Sequence, residues 1–230
     1  MSIAANLERL RNQVADACAQ AHRDSSAVAL MAVSKSHPAE AILEAHAAGQ
    51  RLFGENRVQE FAAKREALAT LSIATHLIGP LQSNKAARAA ELFSAIDSAD
   101  SLKIAQRLNT AATTLGRKLP ILVEIKLSPE DTKHGLAPEE LPAFLAAAAD
   151  LTSLEVQGLM TVPPFFADAE QTRPFFARLR QLRDHHQPTH PTLTQLSMGM
   201  SHDFPIAIAE GSTCVRIGTA IFGSRAYPQT

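Results

Sequence analysis

Lys35 offers the clearest chemistry in this chain. It closes the apolar run Val28-Ala29-Leu30-Met31-Ala32-Val33-Ser34 and is followed by Ser36-His37-Pro38. A short apolar run with that ending predicts a buried strand that stops just before a helix. A lysine at the rim of such a strand is held by rigid backbone and partly shielded from water. Desolvation lowers the pKa of an amine and frees it to attack a carbonyl. Lys35 is therefore a candidate Schiff-base lysine, or else a lysine that ends a strand and reaches solvent.

A second group of residues lies near the other end, in Ser197-Met198-Gly199-Met200-Ser201 and Gly218-Thr219-Ala220-Ile221-Phe222-Gly223. Ser201 is placed to cap a helix starting near His202, with Asp203 in its first turn. Gly218 and Gly223 let backbone N–H groups approach a ligand, and Thr219 adds a hydroxyl. These residues suit a phosphate cradle, or the ordinary work of turn glycines and helix caps. In Cys214-Val215-Arg216-Ile217 the strand period puts Arg216 on the face opposite Val215 and Ile217. A buried arginine needs a partner. Here that is a structural carboxylate such as Asp97 or Glu124, or else a bound anion or a heteroaromatic nitrogen.

The elements that must position these residues alternate. Strands are expected over 28–34, 51–54, 76–79, 92–96, 121–125, 154–160, 194–197 and 214–217. Helices are expected over 38–48, 56–70, 83–90, 101–115, 138–149, 170–185 and 202–210. Before them, Ile3, Leu7, Leu10, Val14, Ala17, Cys18 and Ala21 recur at helical spacing. Eight strand–helix units in 230 residues predict an α/β fold, a single (β/α)₈ TIM-type barrel with an N-terminal helix, as one domain over 1–230. The competing doubly wound sheet would want a glycine-rich turn after its first strand, and 34–38 contains no glycine. In such barrels the loops after the strands form the active face. That face receives Lys35, then Asn56, and finally the two loops of the cradle.

Composition narrows the function. The net charge is −1 and the pI about 6.8, so no large basic field exists for nucleic acid. No apolar run reaches membrane-span length, and Glu8, Arg9 and Arg11 interrupt any signal-peptide pattern. Cys18 and Cys214 read as reduced core residues of a cytoplasmic protein. His185, His186 and His190 lack acidic or cysteine partners and read as a surface cluster, with no metal expected. His76 reads as a core or rim histidine. Hydrolase elbows, P-loops and Cys-x-x-Cys pairs are missing.

Taken together, several motifs resemble the pyridoxal-phosphate homeostasis family. They are Ala32-Val33-Ser34-Lys35, Phe53-Gly54-Glu55-Asn56 with Gln59-Glu60, His76 to Lys85, Gly158-Leu159-Met160, 197–201 and 215–223. The resemblance spans nearly the whole chain. It implies a barrel similar to the N-terminal domain of alanine racemase that binds pyridoxal 5′-phosphate (PLP) as an internal aldimine, without established turnover, in vitamin B6 supply. Carried over, Lys35 is the aldimine lysine. Ser201, Gly218 and Thr219 hold the phosphate, Arg216 lies near the pyridine ring or the phosphate, and Asn56 and Met198 line the pocket. Arg57, Thr75 and His202 depart from the family pattern and put the pocket rim in question. The implied protein is a monomeric carrier with no catalytic residues, whose partners are PLP and apo PLP-dependent enzymes. The alternative is a PLP-dependent amino-acid racemase or related fold-type III enzyme. Racemases of this kind take a tyrosine base from a second domain, and the only tyrosine here is Tyr227.

Overall fold

The computed structural model describes residues 2–128 and 134–223. Eight parallel strands close into a barrel in sequence order, with the last strand beside the first. They are β1 (Ala29–Val33), β2 (Leu52–Glu55), β3 (Ala74–Leu77), β4 (Ala95–Ala99), β5 (Leu119–Glu124), β6 (Leu154–Met160), β7 (Gln195–Ser197) and β8 (Cys214–Ile217). The helices are α1 (Ile3–Gln20), α2 (Ala39–Ala47), α3 (Val58–Lys64), α4 (Ala86–Leu92), α5 (Leu102–Thr114), α6 (Leu141–Ala148), α7 (Arg173–His186), α8 (Phe204–Ala209) and α9 (Thr219–Phe222). The expected (β/α)₈ architecture with its leading helix is present. No helix among the described residues is long and apolar enough to cross a membrane. Cys18 and Cys214 are both buried and unbridged.

The strands separate two environments. Outward-facing residues such as Ala32, Phe53, Leu77, Ile96, Val123, Leu196, Val215 and Ile217 join the helices in one apolar cluster. That burial drives the fold, at about 1.5–3 kcal/mol for each fully buried large side chain. Met31, Val33, Met160 and Cys214 are buried but stand outside the cluster. They alternate with its members along the strands and face the barrel interior. The interior also holds polar groups. His76 Nδ1 lies 3.0 Å from Asp97 Oδ1, and Arg216 is only 4% exposed.

Helix α1 covers the seam where the barrel closes. Ser2 accepts a capping bond from the Ala5 N–H (3.2 Å), and Leu7, Leu10, Val14, Ala17 and Cys18 form its buried stripe. It packs on α2, α8 and α9, and Asn6 Nδ2 donates to the Ile221 carbonyl (2.9 Å). The stripe's apolar spacing is what the sequence showed, and a Leu10→Ala change would remove about 2–5 kcal/mol of it.

Some boundaries differ from expectation. β3 and β4 occupy 74–77 and 95–99, where 76–79 and 92–96 were expected. β4 carries Asp97 and Ser98 inside the barrel, so its apolar signal is weak, and Leu92 belongs to α4. Helix α3 stops at Lys64, and 65–70 form turns. Helix α8 begins at Phe204 with Asp203 as its N-cap residue. Ser201 is therefore not the cap that the sequence suggested.

Candidate functional site

Strand β1 ends at Val33, and Lys35 stands two residues beyond it, in a tight turn. The His37 N–H donates to the Ser34 carbonyl (3.1 Å) and closes that turn. Ser36 takes φ +63°, a left-handed conformation that costs a non-glycine residue about 1–2 kcal/mol. Lys35 thus projects from the corner of a constrained turn and lines a cavity of about 520 Å³ at the barrel mouth. That size is typical of small-molecule sites.

The loop after β2 brings Asn56 to the same wall. Gly79, after β3, lies against it so closely that a Cβ there would stand 2.4 Å from the Asn56 carbonyl oxygen. Only glycine allows this approach, and the Ser98 hydroxyl pins the loop by donating to the Gly79 carbonyl (2.6 Å).

The loops after β7 and β8 form the adjoining wall, because closure sets β8 beside β1. Met200, Ser201, His202, Gly218 and Thr219 all line the cavity. Gly199 turns the first loop at φ +96°, where a Cβ would meet the Ala207 methyl at 2.5 Å. Asp203 Oδ1 accepts from the Met200 N–H (2.6 Å). Among the described residues, the backbone N–H groups of Ser201, His202, Thr219 and Ala220 have no acceptor. Ser201, His202 and Thr219 line the cavity, and N–H groups without acceptors there suit a multiply charged oxyanion.

Arg216 lies beneath. Its Nη1 donates to Ser197 Oγ (2.7 Å) and its Nη2 to the Thr161 carbonyl (2.8 Å). Neither Asp97 nor Glu124 forms an ion pair with it among the described residues. Burial lowers its pKa from the ordinary arginine value, while Cys214, Asp97, Glu124 and Asp203 act in the opposite direction. Burial also pushes the Glu124 carboxyl up to about 7, with Arg216 opposing and Asp100 reinforcing the rise. It pushes the Cys214 thiol up to about 12.

Six of the seven residues singled out in the sequence (Lys35, Asn56, Ser201, Arg216, Gly218 and Thr219) therefore meet around one cavity. Met198 does not. It is fully buried in the helix–sheet cluster, because its neighbour Ser197 faces inward to Arg216 and strand alternation turns Met198 outward. Met200 takes its place. Of the rim positions, Thr75 is buried (3% exposed) and lies in β3 away from the rim. His202 is at the rim, its ring 5.5 Å from that of Phe165. The sequence reading missed Glu124, Lys126 and His134 as lining residues. Glu124 ends β5 and the other two follow it, and the strand-end and loop-after-strand rule applied there would have found them. Lys133 and Tyr227 lie outside the described residues.

The chain is similar to several known proteins. Residues 4–226 match the family described as alanine racemase, N-terminal domain. A pyridoxal phosphate homeostasis protein of Pseudomonas aeruginosa is 45% identical over 226 residues, covering 98% of this chain and 97% of that one. One from Escherichia coli K12 is 43% identical over 235 residues, covering 98% and 97%. PipY of Synechococcus elongatus, solved with PLP bound, superposes with a TM-score of 0.87 at 44% identity over 96% of this chain and all of its own. Its structure without PLP gives 0.88. An alanine racemase of Clostridium difficile shares the fold, with a TM-score of 0.71 at 17% identity over 57% of its length.

Proposed function

The chain belongs to the pyridoxal phosphate homeostasis proteins, within the alanine racemase N-terminal domain family, and on that premise we propose that it holds PLP covalently on Lys35 and releases it to other proteins without turning over substrates. The observation that carries this reading is that Lys35 and three residues whose backbone N–H groups have no acceptor among the described residues, Ser201, His202 and Thr219, line one cavity from adjacent strands.

The residues present fit the cofactor. Lys35 supplies the primary amine. Ser201, Gly218 and Thr219, with the N–H groups of 201–202 and 219–220, supply donors for a phosphate. Asn56 and Met200 bound the remaining walls. When bound, PLP supplies an aldehyde that condenses reversibly with an amine and releases water. The chain's own part is to hold, orient and shield. Arg216 is committed to Ser197 and Thr161. Its fixed positive charge disfavours a further proton on any heterocyclic nitrogen placed against it. A ring that stays neutral draws electrons weakly, which suits storage better than catalysis.

The carrier reading also draws on the relatives, since the chain covers 97% of each of two curated pyridoxal phosphate homeostasis proteins. We take the carrier to be one barrel domain, monomeric and cytoplasmic, with apo PLP-dependent enzymes as recipients. PLP-loaded protein should restore activity to such an apoenzyme, and Lys35→Ala protein should restore less. The racemase reading makes the opposite prediction. Lys35-dependent deuterium exchange at the α-carbon of L-alanine, at enzymatic rates, would replace the carrier with an enzyme.

A further inference from the structure

The turn that carries Lys35 is tied down by a buried ionic network that lies behind the cavity wall and does not touch the cavity. Lys64 is 9% exposed and spends its three donors on three segments. It donates to the Ser34 carbonyl (3.2 Å), to Glu55 Oε1 (2.9 Å) and to Glu60 Oε1 (2.9 Å). Ser34 Oγ donates to the same Glu55 oxygen (2.8 Å). Glu60 Oε1 accepts the Ser36 N–H (2.5 Å). The residues immediately before and after Lys35 are thus both bonded to one cluster, and the left-handed Ser36 is held by a carboxylate on α3.

Stability alone gives such a network little reason to exist. A buried ion pair often contributes less than well-packed apolar residues of the same volume. Glu55 is fully buried and its Oε2 has no partner, which adds an uncompensated cost. Burial pushes its carboxyl up against the pull of Lys64 and Ser34. Burial acts the same way on Glu60, yet its bonds from Lys64 and the Ser36 N–H outweigh it and hold that carboxyl below the usual range.

Resting on the cofactor reading above, we propose that Lys64, with Glu60 and Glu55, is a positioning cluster that sets where the Lys35 amine stands at the cavity wall. Without it the turn can leave the left-handed conformation at Ser36, and the amine at its corner moves with it. Displacements of about 1 Å at a reacting atom can cost up to about a hundredfold in rate.

The test uses the full chain and separates attachment from binding. Lys64→Met and Glu60→Ala should slow appearance of the visible PLP–protein band about tenfold or more. Affinity for pyridoxine 5′-phosphate, which lacks the aldehyde, should be unchanged. Glu60→Gln keeps an acceptor for the Ser36 N–H and should recover most of the rate. Arg23→Met serves as the stability control, since Arg23 donates to the Ile208 and Ser212 carbonyls far from Lys35. It should lower the melting temperature and leave the rate alone. Should Lys64→Met not fold, the two Glu60 variants decide. A wild-type rate in Glu60→Ala, or equal slowing in Arg23→Met, overturns the proposal. The ligand-free protein offers an independent readout, the acylation rate of Lys35 relative to Lys126, mapped by mass spectrometry. It should change in Glu60→Ala and Lys64→Met, and no change overturns the proposal. That readout stands even if the wild type binds no PLP, an outcome that would sink the cofactor reading instead.

Discussion

The β1–β2 side of the cavity is held by buried charge, and the β7–β8 side by backbone. Around Lys35, one ammonium and two carboxylates tie residues 34–36 to α3. Around Thr219, glycine geometry and N–H groups without acceptors shape the wall. The two constructions should fail differently. A charge network loses its balance when one member is removed, because the others remain buried and unpaired. A backbone cradle is indifferent to most side-chain changes, and it depends on what the ligand brings to it.

The largest expected effect therefore lies in the ligand. Hydrogen bonds to a charged group contribute about 1.5–3 kcal/mol each. Two such bonds make unphosphorylated pyridoxal weaker than PLP by roughly two to four orders of magnitude. Competitive titration of the two ligands measures this, and equal affinities would remove the cradle from the account.

Arg216 lies between the two regions and should behave like the charged side. Arg216→Met leaves Ser197 and the Thr161 carbonyl without their donor, and Asp97, Glu124 and Asp203 without a nearby cation. A loss of about 2–6 kcal/mol in urea unfolding is expected, from two buried acceptors left without their donor. A loss below about 1 kcal/mol would show that the interior tolerates its carboxylates alone.

Glu124 sharpens the comparison through pH. Its folded pKa, about 7, is above the unfolded value, so between these values the folded state keeps a proton that the unfolded chain has lost. Stability then falls as pH rises through that window and levels off above about 7, by about 3–4 kcal/mol in all. Burial raises Asp203 and Glu55 with the same sign, so the difference between wild type and Glu124→Gln isolates this group. The variant should lose part of the slope. An unchanged slope would mean that Glu124 titrates normally.

The smallest effect is at Ser36. Glycine relieves the left-handed strain, about 1–2 kcal/mol, while adding unfolded-state entropy. Ser36→Gly should therefore stabilise by no more than about 1 kcal/mol, read as a small rise in melting temperature.

The same contrast explains what could be read from the sequence. The barrel was legible from eight spaced apolar runs, and the residues proposed for the cradle stood out only as a group, because the loop-after-strand rule gathers them on the face that holds Lys35, while each alone reads as an ordinary turn or cap residue. β4 was misplaced because Asp97 and Ser98 face a polar interior that apolar patterning does not record. The cluster behind Lys35 was invisible because its bonds join a turn, a strand end and a helix. Glu60 and Lys64 at i,i+4 look like any surface pair. The available signal was that Val58, Phe61 and Lys64 share the buried face of α3, which puts a lysine on an apolar stripe. Met198 came from the family resemblance alone, and strand alternation next to the inward-facing Ser197 turns it away from the cavity.

Two lysines, Lys35 and Lys126, line the cavity among the described residues, and the account requires that only the first carries the ligand. Borohydride reduction of the PLP-loaded protein, followed by peptide mass mapping, tests this directly. The pyridoxyl group should sit on Lys35, vanish in Lys35→Ala and persist in Lys126→Ala. Finding it on Lys126, or on Lys85 outside the cavity, would contradict the account.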